Sequence, residues 1–108
     1  MKMIMGGAYQ GKGQYAAEHY GGMEPVRDFH ALVLEWLKNG VDPMAYMEEH
    51  LEEYKDRVIV CDDIFCGVVP ADPLERKWRE SLGQLLARLT KDCDEVVRVF
   101  CGLGTRLK

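Results

Sequence analysis

A chain of 108 residues, 47% of them hydrophobic, suits one domain over residues 1–108 with a modest core. Its net charge of −4 argues against nucleic acid as the main partner, since a phosphate backbone calls for a basic face. No apolar run approaches the roughly 20 residues that cross a bilayer. The N-terminal apolar stretch is too short for a signal peptide, so a cytoplasmic protein with no membrane partner is expected.

The first strand is expected at Lys2–Met5, a mostly apolar, β-compatible run. Gly6 to Lys12 then spells G-x-x-x-x-G-K, the pattern of a loop whose backbone N–H groups cradle a polyphosphate. Its residues, Gly6, Gly7, Ala8, Tyr9, Gln10, Gly11, Lys12 and Gly13, are the candidate nucleotide-binding set, with GTP or ATP as ligand. Lys12 supplies the point charge and is the candidate catalytic residue. Gly13 stands where a Ser or Thr normally provides the hydroxyl that holds Mg²⁺. The cradle is therefore present and the usual metal handle is missing.

The first helix is expected from Gly11 to Tyr20, closed by Gly21-Gly22. Pro25 suits the first turn of a second helix, in which Val26, Phe29, Val33 and Leu37 recur at helical spacing until Asn39-Gly40. Asp42 and Pro43 open a third helix with Met44, Met47, Leu51 and Tyr54 as its apolar stripe. Arg57–Cys61 reads as a second strand, continuous enough to be a buried parallel one. A loop through Gly67-Val68-Val69-Pro70 leads to the longest helix, about Asp72–Asp92, with Leu74, Trp78, Leu82, Leu85 and Leu89 on one side. The third strand is about Glu95–Phe100, and Gly102–Lys108 forms a tail.

The order β-α-α-α-β-α-β predicts a small three-layer α/β fold. About three parallel strands are flanked by about four helices. The first strand is expected in the centre, which puts the glycine loop at the carboxyl edge where such sheets bind ligands. The open edges of so small a sheet point to a homo-oligomer.

Val58 to Asp63 is an apolar strand ending in two acids, and Asp62 or Asp63 would hold Mg²⁺ directly or through water. The alternative is a solvated Asp pair. Cys61 and Cys101 are expected to behave as small buried apolar residues, whereas Cys66 lies in a loop and is the most reactive candidate. Arg76, Lys77, Arg79 and Arg88, like the run Glu48, Glu49, Glu52 and Glu53, read as solvated helix faces. His19, His30 and His50 share no metal spacing. His30, next to Phe29, is expected partly inside the core.

These segments resemble the adenosylcobinamide kinase / adenosylcobinamide-phosphate guanylyltransferase family of cobalamin biosynthesis. The family opens with a strand and G-G-A-R-S-G-K-S, here Gly6-Gly7-Ala8-Tyr9-Gln10-Gly11-Lys12-Gly13. Its N-E-V-G-x-G-I-V-P segment is similar to Asp62 through Pro70, and its L-x-R-x-[FY]-R-x-x-x-G to Leu74-Glu75-Arg76-Lys77-Trp78-Arg79 and Gly83. The family ending V-x-x-V-x-x-G-L-P-x-R-L-K resembles Val96–Val99 followed by Gly102-Leu103-Gly104-Thr105-Arg106-Leu107-Lys108. The resemblance implies a purine-nucleotide-binding fold acting on a cobinamide-like alcohol.

The chain departs from the family in several places. The family is longer and carries an H-R-x-x-R-P-like segment whose histidine takes the guanylyl group. No His-Arg pair occurs here. Residues 25–56 read as a shortened helical replacement, Leu86-Ala87 replace a polar N-Q pair, and Gly104 replaces a proline. These departures imply reduced or no guanylyltransferase activity. Two further readings are a non-catalytic nucleotide-binding or regulatory module of the same fold, and a subunit that completes its site with another chain.

Overall fold

The computed structural model describes residues 1–64 and 71–108. Five strands form one sheet in the order β2-β3-β1-β4-β5. Strand β1 (Lys2–Gly6) is central, and β3 (Arg57–Asp62) and β4 (Glu95–Phe100) run parallel to it on either side. Strand β2 (Glu24–Val26) adds in parallel outside β3, and β5 (Leu103–Arg106) adds antiparallel outside β4. Among the described residues the α-helices are α1 (Lys12–His19), α2 (Phe29–Lys38), α3 (Pro43–Glu49) and α4 (Pro73–Leu89). The fold is α/β, and β1 holds the expected central place.

Right-handed crossovers explain why the helices divide unevenly. The chain moves outward once, from β1 over β3 to β2, and that passage carries α1 alone. It then moves back twice, from β2 to β3 and from β3 to β4. Those passages put α2, α3 and α4 together on the opposite face. Strand alternation serves both faces. Met3, Ile59, Cys61 and Val96 meet Phe29, Val33, Met47, Leu82, Leu85, Leu86 and Leu89. Ile4, Val58, Val60, Val97 and Val99 meet Ala16 of α1.

Several boundaries differ from expectation. Glu24-Pro25-Val26 is a strand and not the start of a helix. Proline is tolerated there because β2 is an edge, with no neighbour awaiting its missing N–H. Helix α2 begins three residues later, after Asp28 at φ 52. The third helical stretch is divided, with α3 ending at Glu49 and a 3₁₀ turn covering Leu51–Tyr54. The tail is a strand, turned back by Cys101 (φ 50) and Gly102 (φ 77). Positive φ at both positions makes the two-residue turn that matches strand twist. The sheet thus has five strands where about three are expected.

Asp42 caps α3 as expected and Asp72 caps α4 in the same way, their carboxylates accepting from the N–H groups of Met44 and Leu74. Glu48, Glu49, Glu52 and Glu53 are exposed. Arg88 pairs with Asp92 and Glu48. No helix among the described residues is long and apolar enough to cross a membrane.

Candidate functional site

The loop that follows β1 is shaped by close approach. A Cβ on Gly6 would stand 2.4 Å from the carbonyl oxygen of Val99, so only glycine lets the chain leave the sheet between β1 and β4 here. Tyr9 turns the loop at φ 59 with its ring fully exposed, and Gly11 enters α1 at φ 95. Gln10 anchors the loop to the β4–β5 turn. Its side-chain Oε1 accepts from the Cys101 N–H at 2.7 Å, and its carbonyl accepts from the Gly102 N–H at 2.8 Å.

Among the described residues no side-chain hydrogen bond caps α1 at Gly11, which leaves the helix start open toward the loop. A helix start of this kind favours an anion. Lys12, the first residue of α1, is buried. Its ammonium donates to the Gly7 carbonyl at 2.6 Å and lies 2.6 Å from Asp62 Oδ1. Asp62 in turn is held by His30. The Asp62 N–H donates to His30 Nδ1 at 3.1 Å, and Asp62 Oδ2 lies 3.5 Å from His30 Nε2. With Nδ1 accepting, the ring proton sits on Nε2, facing the carboxylate. The His30 carbonyl accepts from the Trp78 indole N–H at 2.7 Å, which ties this row to α4.

Ala8, Tyr9, Gln10, Gly11, Lys12 and Gly13 line a cavity of about 350 Å³. Asp62, Val60, Arg27 and Asp28 complete its wall. That volume falls at the lower end of the range typical of small-molecule sites. The structure thus brings most of the expected loop together with Asp62. It separates Asp63, whose carboxylate turns to the opposite face and meets Arg98 at 3.5 Å. Strand alternation decides between the two acids, because Val58, Val60 and Asp62 share the α1 face.

A nucleotide's phosphates fit this cavity chemically: a glycine loop, an uncapped helix start and a lysine converge on it. A magnesium ion does not fit the donor set. Gly13 offers no hydroxyl, both Asp62 oxygens face protein partners, and Asp63 points away. Among the described residues, no group of three or more His, Cys, Asp or Glu is placed to hold a metal.

Arg27, Asp28 and His30 belong to the site without any sequence motif marking them. The topology puts them there, since β2 lies beside β3 and ends at the same edge as the loop. Cys61 is buried as expected, and burial pushes its thiol up to about 12. Cys101 is exposed, because the turn carries it out of the sheet. Cys66, and the expected loop at Gly67–Pro70, lie outside the described residues.

A mostly parallel α/β sheet with a glycine loop and a buried lysine at its carboxyl edge defines the broad class. The family model for cobinamide kinase / cobinamide phosphate guanyltransferase matches residues 35–107, about two thirds of the chain. The chain belongs to that family, and so is related to nucleotide-using enzymes of cobalamin biosynthesis. The match includes residues 35–56, so the relationship extends through much of the segment that reads as a replacement. It begins beyond the glycine loop, whose reading rests on its own residues and geometry. No curated protein matches the chain.

Proposed function

We propose that this protein binds a purine nucleoside triphosphate, GTP or ATP, through the loop Gly6–Gly13, its polyphosphate in the cavity that Ala8–Gly13 line. The observation that carries the reading is Lys12, buried at the start of α1 with its ammonium at the loop. Loop amides and Lys12 would stabilise charge on a transferred phosphate. Tyr9 offers an exposed aromatic face to the base. Asp62, braced by His30, positions the lysine.

On this reading the chain is a shortened cytoplasmic family member with a cobinamide-like alcohol as acceptor. Phosphoryl transfer is weak, and guanylyl transfer is reduced or lost because the family's histidine motif is missing. The absent hydroxyl at Gly13 favours a second reading, a nucleotide-binding module without turnover. The exposed edge of β5 supports assembly as a homo-oligomer.

Calorimetric titration of GTP and ATP into the wild type and Lys12→Ala tests the binding claim. Saturable binding is expected in the wild type and its loss in the mutant. Equal affinity in both proteins overturns the assignment of the loop.

A further inference from the structure

Gly13 is the position at which this loop departs from the metal-dependent pattern. A Cβ on Gly13 would stand 3.3 Å from Nη1 of Arg27. The guanidinium therefore occupies the space next to where a serine or threonine side chain would begin. Arg27 lines the same cavity as the loop, Lys12 and Asp62. It follows β2 directly, so a strand separate from the loop delivers it to the cavity. No ion pair joins it to a carboxylate among the described residues. Asp62, the acid at the end of the neighbouring strand, is already engaged by Lys12 and His30.

We infer that Arg27 replaces the divalent cation, so that the site takes the metal-free polyphosphate of its nucleotide. The inference rests on the phosphate reading of the loop. The chemistry is direct. A divalent ion in such a site neutralises the phosphates and bridges their oxygens. A guanidinium carries a fixed positive charge and a planar fork of donors that can grip two phosphate oxygens at once. Lys12 from α1 and Arg27 from the β2 edge would then hold the polyphosphate from two sides. A metal–nucleotide complex brings its own positive charge against Arg27 and is disfavoured.

The test is calorimetric titration of GTP and of ATP, with excess EDTA and again with excess Mg²⁺. The proteins are the wild type, Lys12→Ala, Arg27→Ala, Arg27→Lys and Gly13→Ser. The wild type should bind in EDTA at least as tightly as in Mg²⁺. Arg27→Ala should lose about tenfold or more in EDTA, the size of a lost charge-assisted contact. Arg27→Lys should recover only part of that loss, because it restores the charge without the fork. Gly13→Ser should shift the preference toward Mg²⁺. Arg27 is exposed, so its variants are expected to fold like the wild type. Binding that needs Mg²⁺, depends on Lys12 and ignores Arg27 overturns this inference alone. Absence of binding under both conditions overturns the loop reading and this inference together.

Discussion

The ring of Tyr15 occupies the space that a side chain at Gly104 would need. A Cβ at residue 104 would stand 2.3 Å from Tyr15 Cε2 and 2.7 Å from its Cζ. The contact packs α1 on the edge strand β5 and joins the helix that begins at the loop to the far side of the sheet. Where the family resemblance places a proline, this chain has the residue that admits the tyrosine. Gly104→Ala should therefore destabilise the fold by about 1–3 kcal/mol, as overpacking does, and Gly104→Pro by more. Tyr15→Ala should relieve much of the effect in the double mutant. Urea denaturation of the four proteins checks this, and a Gly104→Ala midpoint equal to the wild type contradicts the contact.

The Lys12–Asp62 pair at 2.6 Å sets a condition on ligand binding. An anion entering the loop competes with the carboxylate for the same ammonium. Asp62→Asn keeps the shape and an acceptor while removing the charge. It should raise nucleotide affinity in EDTA by about fivefold, corresponding to a pair worth ~1 kcal/mol. Calorimetry on the mutant reads this directly. Weaker binding in Asp62→Asn would show that the acid acts on the ligand through a cation and not by occupying the lysine.

The parts of this fold that sequence reading recovers are those with long, regular signals. β1, β3 and β4 are continuous apolar runs, and α4 repeats leucine at helical spacing over 17 residues. β2 has only three residues, too few to show a period, and its Pro25 reads equally well as a helix start. β5 has four exposed residues and no apolar pattern. Its one local cue is Cys101-Gly102, a turn dipeptide lacking the usual Asn or Asp. The site divides in the same way. The glycine loop is contiguous and legible, and Asp62 is legible as an acid at a strand end. Arg27 follows a short edge strand, and His30 lies in the helix after it. Their place beside Lys12 depends on where β2 pairs, which no local spacing encodes.

Tyr20 and Glu95 make the clearest pH-dependent contact. The Tyr20 hydroxyl donates to Glu95 Oε2, tying the end of α1 to the start of β4. That hydrogen bond holds the Glu95 carboxyl below its usual range, with Lys2 and Arg106 adding to the effect against some desolvation. The Tyr20 phenol is pushed up, mainly by burial and then by the Glu95 carboxylate. Desolvation acts on both partners but ranks first only for the tyrosine, whereas for half-buried Glu95 the hydrogen bond outweighs it. A depressed carboxylate contributes stability above its unfolded value, 4.5 for a glutamate, and loses it as pH falls through the folded value. A raised phenol contributes below its unfolded value of 10.0 and loses it at higher pH. The pair therefore stabilises the fold between those limits. Tyr20→Phe should lower stability by a constant amount near neutrality, and the difference from wild type should shrink as pH falls below the ordinary glutamate value of 4.5 and on through the lowered folded value. Glu95 should titrate closer to an ordinary glutamate in the mutant, read by carboxyl NMR alongside urea denaturation at each pH. A stability difference that stays flat through the acid range would mean that the hydroxyl contributes packing alone.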